Sequence, residues 1–200
     1  MQEKFIAFFL LILTYPVSGI PFGLIYVKIF KKTDVRQVGS GNIGATNVLR
    51  AAGIKIAALT ALSDILKSAI PVLIAKNLFS DSLYPYLIWL TSIVGHCFSP
   101  YLKFKGGKGV ATFFGGLFVL SLSYTLWALI LWLFIIVLTG YVSLGSITAV
   151  LIPFVLSLVK TDYSNAIIYF LGSSIIILRH KDNILRLLKG TENRFKILRK

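Results

Sequence analysis

The stretch from Gly109 to Val159 contains no charged side chain, and a lysine stands on either side of it. Water-soluble proteins do not need so long an uncharged segment, whereas a helix that crosses the ~30 Å hydrocarbon core of a bilayer needs about 20 apolar residues. The whole chain of 200 residues is 56% hydrophobic and 14% charged, far from the composition of an average soluble domain. The sequence therefore predicts an all-α, polytopic membrane protein with a single domain over residues 1–200.

Hydropathy predicts about seven membrane-spanning helices, with the N-terminus outside and the C-terminus in the cytoplasm. The predicted spans lie near residues 5–27, 55–75, 83–100, 110–123, 125–139, 144–159 and 164–178. In this topology only Lys4, Lys76 and Lys160 of the 21 lysines and arginines face the outside, and Lys67 lies within a span. If the uncharged stretch held two spans instead of three, the cationic C-terminal tail would have to cross the membrane. The positive-inside rule therefore favours seven spans over five or six with re-entrant segments.

Charge and cysteine content exclude several other classes of protein. A net charge of +14 often indicates a nucleic-acid partner, but these cations stand beside predicted spans, so we predict a membrane-lipid environment and no nucleic acid. The single cysteine, Cys97, excludes an intrachain disulfide and a multi-cysteine metal site. Neither His96 nor His180 belongs to a His-Glu-x-x-His pattern. We therefore expect no metal and no cofactor.

Residues 38–50 form the first of three polar segments that this topology places on the cytoplasmic face. Glycines in this segment allow backbone conformations in which successive N–H groups converge into an anion-binding nest. Thr46 or Asn47 is expected to cap a helix that carries Arg50 in its first turns. The alternative interpretation is a flexible, solvated linker. The residues predicted to act at this segment are Ser40, Gly41, Asn42 and Arg50.

Residues 95–112 form the second polar segment, which has the pattern of a helix end, a glycine- and lysine-rich loop and a new helix. Backbone N–H groups at the start of a helix attract phosphate, and lysines beside them add positive charge. A nucleotide-binding P-loop is excluded because Gly109, rather than Ser or Thr, follows Lys108. The alternative is that the lysines only determine topology. The predicted phosphate-binding residues are Lys105, Gly106, Gly107, Lys108 and Gly109.

The third polar segment, residues 179–192, has the pattern of a short amphipathic helix on an anionic membrane surface. Apolar residues at helical spacing share one face, and cations stand beside them. A role in lipid contact alone does not explain the polar residues of this segment. Those residues are His180, Asn183 and Glu192.

Three further polar residues lie within or between the predicted spans. Asp64 and Lys67 are three residues apart on one helix, so they share a face, and pairing would lower the cost of placing charge in the membrane. They form either a structural pair or part of a site. Ser146 lies in an uncharged connection, residues 140–146, and either lines the same cavity as the polar segments or satisfies backbone groups where a helix turns.

Together the three segments would gather backbone donors and cations beside a bundle that can accept an acyl chain. The residues alone allow an acyltransferase, a phosphotransferase or a carrier of organic anions. Three motifs follow one another along nearly the whole chain: Gly39-Ser-Gly-Asn-Ile-Gly-Ala-Thr-Asn47 with Arg50, Gly95-His96 before Phe104-Lys-Gly-Gly-Lys-Gly-Val-Ala-Thr112, and Arg179-His180 with Asn183, Arg186 and Gly190-x-Glu192. They resemble the signature motifs of bacterial acyl-phosphate:glycerol-3-phosphate acyltransferases, the PlsY family.

The resemblance implies an enzyme of about seven helices in the inner (cytoplasmic) membrane, with its active site facing the cytoplasm. Such an enzyme transfers a fatty acyl group from acyl phosphate to the 1-hydroxyl of glycerol 3-phosphate, which gives 1-acylglycerol 3-phosphate (lysophosphatidic acid) and phosphate. This is the first acylation of bacterial phospholipid synthesis. We predict a monomer. A transporter of organic phosphates is the alternative, and a non-catalytic lipid-binding protein would leave the glycine loops unexplained.

Position by position, the resemblance also implies roles for single residues. Ser40 and Arg50 resemble the essential serine and arginine of the first family motif, and residues 106–109 resemble its phosphate-binding element. His180 and Asn183 resemble catalytic residues of the third motif, Arg186 adds positive charge for phosphate, and Glu192 is expected to be structural. Direct acyl transfer is favoured over an acyl-enzyme on Ser40. The candidate bases are His180, His96 and a substrate phosphate.

Overall fold

A computed structural model describes residues 2–79 and 82–194, and these residues form helices and no strand, which confirms the all-α class. They fall into two compact units that divide between Leu120 and Ser121. The first unit contains α1 (Gln2–Gly19), α2 (Phe22–Lys31), α3 (Ala45–Ala52), α4 (Ile54–Leu78), α5 (Tyr84–Cys97) and α6 (Val110–Leu120), with 3-10 helices at Val35–Gln37 and Pro100–Leu102. The second contains α7 (Leu122–Thr139), α8 (Val142–Ala149), α9 (Ile152–Val159), α10 (Tyr163–Arg179) and α11 (Lys181–Leu188).

Within the described residues, four helical segments are long and apolar enough to cross a bilayer. They are Gln2–Lys31, Ile54–Leu78, Leu122–Thr139 and Val142–Val159, and Val110–Leu120 and Tyr163–Arg179 are shorter apolar helices. Large apolar side chains such as Phe8 and Trp127 lie on the exposed surface, as expected for an integral membrane protein in contact with lipid. The count of seven spans, the orientation of the termini and the single domain stay predictions, and the C-terminus itself lies outside the described residues.

Two of the predicted spans are interrupted rather than continuous. The span predicted at residues 5–27 is split at Ile20 into α1 and α2. The span predicted at 144–159 is split into α8 and α9, and Pro153 stands in the first turn of α9, where its missing N–H costs no helical bond. Each break leaves main-chain groups that need partners inside a bilayer. Lys67 supplies one of them, because its Nζ donates to the carbonyl oxygen of Ile20 at 3.1 Å.

In the first unit α4 packs against α1, α5 and α6, and small residues allow the helices to approach closely. A Cβ atom at Gly115 would clash with the carbonyl oxygen of Ile65 in α4, and one at Gly95 would clash with the carbonyl oxygen of Tyr15 in α1. Such contacts are typical of helix pairs in membranes. The two polar segments of this unit are therefore attached to a tightly packed bundle.

A buried apolar cluster supports both polar segments of the first unit. Its buried members are Leu24, Val27, Val35, Ile43, Val48 and Ala57. Ile43 belongs to the first polar segment, and Leu102 of the second segment packs against the same cluster. The cluster thus gives the two segments a common base. Burial of Val35 and Ile43 also stabilises the irregular backbone between α2 and α3.

In the second unit α7 packs against α8 and α9, α9 packs against α10, and α11 packs against α8. Ser121 caps α7 and Asp162 caps α10, each by accepting a main-chain N–H with its side chain. Lys160 follows α9, and its Nζ lies 4.9 Å from the centre of the Tyr124 ring. The helix ends at this side of the unit are therefore held by polar contacts.

Candidate functional site

Asn47 fixes the backbone of the first polar segment. Its side chain is buried, and its Oδ1 accepts the N–H of Ser40 at 3.0 Å. Its Nδ2 donates to the carbonyl oxygens of Val35, Val38 and Asn42 at 3.0, 2.9 and 2.9 Å. Buried main-chain groups need partners, and an irregular segment has no regular ladder to provide them. The position of Ser40 is therefore set by one amide side chain.

The helix that follows, α3, begins without the side-chain cap that the sequence predicted. Its N-cap residue is Gly44, in an extended conformation and without a side-chain hydrogen bond, so the prediction of a Thr46 or Asn47 cap was wrong. The Asn47 side chain instead turns back to the loop. Asn42 Oδ1 accepts the N–H of Gly44 at 3.1 Å, which adds a local turn. Arg50 lies in the last turn of this short helix rather than in its first turns.

The first polar segment presents Ser40 and Arg50 outward, and both are exposed. Gly39 and Gly41 have φ values of +58° and +69°, a region that favours glycine. A Cβ atom at Gly39 would lie 2.5 Å from Asn47 Oδ1 and 3.4 Å from Arg50 Cδ. The glycine therefore provides both the backbone conformation and the space for these two side chains. The result is a hydroxyl and a guanidinium carried by a fixed backbone.

The glycine-rich loop of the second polar segment folds back onto the end of α5. The N–H of Gly106 donates to the carbonyl oxygen of Cys97, and that of Gly107 donates to the carbonyl oxygen of His96, each at 3.1 Å. A Cβ atom at Gly106 would clash with the His96 carbonyl oxygen, and one at Gly107 would clash with Nε2 of the His96 ring. These two amides are already bonded within the protein, so they are not among the N–H groups available to the predicted phosphate site. The glycines allow close approach instead.

Helix α6 begins at Val110, directly after this loop. Lys105 is exposed and Lys108 is partly buried ahead of it. Gly109 has a φ of +85°, and its carbonyl oxygen accepts the N–H of Phe113 at 2.8 Å as the helix starts. A helix start directs N–H groups and the positive end of the helix dipole toward what lies before it. The local structure suits the predicted phosphate site, and phosphate binding itself stays a prediction.

A buried ion pair lies in α4, where three-residue spacing predicted it. Lys67 Nζ is 2.7 Å from Asp64 Oδ1, and both side chains are at most 5% exposed. Lys67 also donates to Ile20, and Asp64 Oδ1 lies 3.7 Å from His96 Nδ1. The pairing is therefore confirmed. Sequence reasoning missed the contacts with Ile20 and His96, because both residues are remote in the chain.

A further ion pair, which was not predicted from the sequence, precedes the first polar segment. Asp34 Oδ2 lies 2.6 Å from Arg36 Nη2, and Asp34 Oδ1 accepts both the Nε–H and the main-chain N–H of Arg36 at 2.9 Å. The side-chain hydrogen bond from Arg36 lowers the pKa of Asp34 to about 2, and the pair raises the pKa of Arg36. An aspartate before a short helix is the sequence signal that could have predicted this cap.

In the second unit Glu192 gathers three side chains. Its Oε1 accepts from Asn183 Nδ2 at 2.6 Å and from Ser143 Oγ at 2.9 Å, and its Oε2 accepts from Arg186 Nε at 2.7 Å. Burial alone would raise the pKa of Glu192, but these hydrogen bonds outweigh burial and lower its pKa. The carboxylate ties α8 and α11 to the chain that follows α11, and the structural role of Glu192 stays a prediction.

Protonation of Glu192 should make the second unit less stable in acid. Its lowered pKa means that the folded carboxyl binds a proton less readily than the unfolded one, so stability is present above about pH 4.5 and is lost as the pH falls through the folded pKa. Glu192→Gln should therefore lower the melting temperature at neutral pH and flatten its decline below pH 4.5. Thermal melting in detergent checks this, with Glu3→Gln as a control on an exposed carboxylate. Parallel acid declines in wild type and Glu192→Gln would contradict the expectation.

His180 is buried at the end of α10, and its ring orientation is set by the helix. Its Nδ1 lies 2.8 Å from the carbonyl oxygen of Ile176, one turn earlier. A carbonyl oxygen can only accept, so Nδ1 carries the proton, and in the neutral ring Nε2 is then the basic nitrogen. This tautomer suits the role of a general base.

The Ser146 hydroxyl is used within the second unit. It donates to the carbonyl oxygen of Val142 at 2.8 Å and accepts the indole N–H of Trp132 at 3.2 Å. These contacts favour the alternative in which the serine satisfies polar groups where the helix turns. A substrate contact of Ser146 stays a prediction.

Each unit thus holds part of the predicted set of site residues. In the first unit Asn47 bonds to both Ser40 and Asn42, and Arg50 lies close to Gly39. Separately, Asp64 lies near both Lys67 and His96, and the loop at Gly106 and Gly107 packs against His96. The second unit brings Asn183 and Arg186 to Glu192. Among residues 2–79 and 82–194, no three histidine, cysteine or acidic side chains are grouped as metal ligands.

The chain is similar over most of its length to known glycerol-3-phosphate acyltransferases. A family model described as glycerol-3-phosphate acyltransferase matches residues 8–190. The enzyme of that name from Aquifex aeolicus is 44% identical over 191 residues, which cover 94% of this chain and 99% of the relative. The one from Ehrlichia canis is 41% identical over 187 residues, which cover 92% of this chain and 96% of the relative.

Two solved structures have the same fold. One is a crystal structure of PlsY (YgiH), described as an integral membrane glycerol 3-phosphate acyltransferase, in its glycerol 3-phosphate form; the TM-score is 0.90, with 43% identity and coverage of 94% of this chain and 95% of that chain. The other is the lysophosphatidic acid form of PlsY, with a TM-score of 0.87 and 42% identity, and it covers the same shares of the two chains.

Proposed function

Because this chain belongs to the glycerol-3-phosphate acyltransferase family, we propose that it transfers a fatty acyl group from an acyl phosphate to the 1-hydroxyl of glycerol 3-phosphate. The products are 1-acylglycerol 3-phosphate and inorganic phosphate, and the reaction is the first acylation of phospholipid synthesis. The observation that carries this proposal is the first polar segment, in which Asn47 fixes the backbone that presents Ser40 and Arg50. A guanidinium on a fixed backbone suits recognition of a phosphate.

The proposed reaction is a direct transfer. The 1-hydroxyl oxygen attacks the acyl carbonyl carbon, the bond from that carbon to the phosphate oxygen breaks, phosphate leaves with the bonding electrons, and the hydroxyl proton passes to a base. An acyl phosphate is a mixed anhydride with a good leaving group, so the protein mainly has to hold two phosphates and orient the hydroxyl. Cations offset the repulsion between the phosphates; the candidates are Arg50, Lys105, Lys108 and Arg186.

Ser40 and Asn42 are proposed to stabilise the negative charge that develops on the carbonyl oxygen. Ser40 need not act as a nucleophile, because the acyl donor is already activated. The alternative is an acyl-enzyme on Ser40. Mass spectrometry of protein incubated with the acyl phosphate alone distinguishes the two, and an acyl adduct on Ser40 would contradict direct transfer.

For the base we propose His180, whose tautomer leaves Nε2 as the basic nitrogen. The alternatives are His96, which faces Asp64 through Nδ1, and a substrate phosphate. The pH dependence of kcat separates them. His180→Asn should remove the acid limb of this profile, whereas an unchanged limb would favour another base.

Arg50→Ala should raise the KM for glycerol 3-phosphate and lower kcat, with the fold intact. Loss of a charge-assisted bond to phosphate corresponds to a decrease of about 10- to 100-fold in kcat/KM. Steady-state kinetics on detergent-purified protein check this. The control is Arg36→Ala, because Arg36 is exposed near the same segment but is paired with Asp34. Normal kinetics in folded Arg50→Ala would contradict the role assigned to this arginine.

We also propose a monomer of one domain with seven spans in the cytoplasmic membrane, the N-terminus outside, and the C-terminus and active site on the cytoplasmic side. Lys76 and Lys160, which this topology places outside, each have a local partner. Lys76 Nζ donates to the carbonyl oxygen of Val119 at 2.6 Å at the end of α6, and Lys160 lies over the Tyr124 ring. Such contacts supply a reason for positive charge on the side that the positive-inside rule disfavours.

Single-cysteine labelling tests this topology. Cys97 is the single cysteine and is buried, so Cys97→Ser provides the background without cysteine. With a membrane-impermeant maleimide, Lys160→Cys should react in intact spheroplasts, whereas Gln37→Cys should react only after permeabilisation. The unmodified background protein is the control for unspecific labelling. The reverse pattern would contradict the proposed orientation.

The function is tested by supplying purified protein with glycerol 3-phosphate and either palmitoyl phosphate or palmitoyl-CoA, and by measuring lysophosphatidate and released phosphate. Product from the acyl phosphate and none from the CoA ester is expected. Product from palmitoyl-CoA alone would overturn the proposed donor. No product from either donor would favour the transporter alternative, which uptake of labelled glycerol 3-phosphate into proteoliposomes would then test.

A further inference from the structure

The buried pair in α4 contacts the break between α1 and α2. At the end of a helix the last carbonyl oxygens lack helical partners. Here the carbonyl oxygen of Ile20 accepts from Lys67 Nζ at 3.1 Å, and that of Gly19 accepts from Ser99 Oγ at 2.6 Å. Ser18 Oγ in turn donates to the carbonyl oxygen of Lys67 at 3.0 Å. The break is therefore bonded on one side to α4 and on the other to the second polar segment.

The same pair also reaches the glycine-rich loop, through His96. Asp64 Oδ1 lies 2.7 Å from Lys67 Nζ and 3.7 Å from His96 Nδ1. The opposite edge of the imidazole, at Nε2, occupies the space that a Cβ at Gly107 would need. The carboxylate of Asp64 therefore lies on the Nδ1 side of the ring, and the loop packs against its Nε2 side.

Neutralising the charges of Asp64 and Lys67 inside the membrane does not by itself require their further contacts with Ile20 and His96. Two buried charges can neutralise each other as an isolated pair, and replacing such a pair by neutral side chains of similar size is often harmless. In this protein each charge also has a second partner at a place where the backbone is irregular. Lys67 serves the helix break at Ile20, and Asp64 faces His96, the residue that sets the path of the loop.

We propose that Asp64 and Lys67 are positioning residues for the phosphate-binding loop, an inference that rests on the function proposed above. They hold the His96 ring and the helix break where the loop at 105–109 requires them. Their loss impairs substrate binding more than it impairs the fold of the bundle. They do not touch the reacting atoms, and they act through His96 and through the backbone at Ile20.

The kinetic test is the neutral double variant Asp64→Asn/Lys67→Met. Its melting temperature should stay within a few degrees of wild type, while the KM for at least one of the two phosphate substrates rises about tenfold, as for one lost binding contact. The matched control is Lys76→Met, which removes a lysine from the same helix that also donates to a main-chain oxygen. It should leave both KM values unchanged. A folded double variant with both KM values within twofold of wild type overturns the proposal.

A second readout is independent of activity. The chain contains two histidines, so ¹⁵N-histidine labelling gives two sets of ring signals, which His96→Gln assigns. The double variant should shift the His96 signals and leave those of His180 unchanged, and Lys76→Met should shift neither. Unchanged His96 signals overturn the proposal. A wild-type protein that makes no product from either donor would contradict the proposed function, and the ring signals would then decide the positioning role alone.

If the double variant does not fold, Asp64→Glu serves in its place. It keeps both charges and the ion pair but moves the carboxylate relative to His96. The expected result is again a shift of the His96 signals together with a raised KM. A folded Asp64→Glu variant with unchanged signals and wild-type KM values overturns the proposal.

Discussion

Asn47→Leu is expected to lower kcat/KM by at least about 100-fold while the apolar helices stay folded. The substitution removes the four hydrogen bonds by which Asn47 holds Ser40, Val35, Val38 and Asn42. At about 1 kcal/mol each, these bonds contribute roughly 4 kcal/mol, enough to make the ordered loop a minor state when they are lost. Activity then falls with the population of the ordered segment that carries Ser40 and Arg50.

Asn47→Asp is expected to be equally harmful, although it keeps the oxygen that accepts the N–H of Ser40. A carboxylate would face three carbonyl oxygens that now accept from Nδ2, and the residue is buried. Asn165→Leu is the matched control, because the side chain of that asparagine donates to Asp162 at the start of α10 and lies outside the first polar segment. Steady-state kinetics and hydrogen exchange over residues 35–44 check the result. If Asn47→Leu keeps kcat/KM within threefold of wild type, the segment does not depend on this side chain.

The helices could be predicted because long apolar runs have few other solutions in a bilayer. The span predicted at 55–75, for example, is found as α4, Ile54–Leu78. The breaks at Ile20 and before Pro153 were missed, because hydropathy does not distinguish one continuous span from two shorter helices. Whether a helix can break inside a membrane depends on partners for the released carbonyl oxygens, and Lys67 is such a partner from another helix.

The site could be predicted as segments but not as contacts. The motifs locate Ser40 and Arg50, and their order along the chain is specific enough to indicate the family. The role of Asn47 could not be predicted, because its side chain bonds to a carbonyl oxygen as far back as Val35, twelve residues earlier. Local rules assign an asparagine at this place to a helix cap. Here the carbonyl oxygens inside the loop need a donor, and this tertiary requirement outweighs the local preference.

The glycines of the second segment also make tertiary contacts that the local sequence does not predict. A Gly-Gly-Lys-Gly run before a helix predicts amides that bind phosphate, and this interpretation requires the N–H groups to point toward the ligand. In the structure the N–H groups of Gly106 and Gly107 face α5, because the loop turns back along the last carbonyl oxygens of that helix. The sequence carries no local signal for that direction. The glycines are required for close contact with His96. A methyl group added at Gly107 should therefore disturb the loop.

Gly107→Ala is expected to lower kcat/KM about 100-fold, mainly through KM. The added methyl group would overlap with Nε2 of His96, so either the ring or the loop has to move. The ring cannot retreat far, because Asp64 stands 3.7 Å behind its Nδ1. The loop therefore moves, and it displaces Lys108 and the start of α6. Because these groups are proposed to bind phosphate rather than to transfer the acyl group, the loss should appear in binding more than in kcat.

Gly44→Ala is the control for this prediction, since it adds the same methyl group to a glycine of the first motif. Gly44 has a φ of −77°, which any residue adopts, and a Cβ there would meet Asn42 Oδ1 only at 3.7 Å. Its KM values should stay close to wild type, as should its melting temperature. The comparison separates a clash at one position from a general need for glycine in these motifs. Wild-type KM values in folded Gly107→Ala would show that the loop accommodates the methyl group without losing its ligand, and His96 would then have no part in setting the loop.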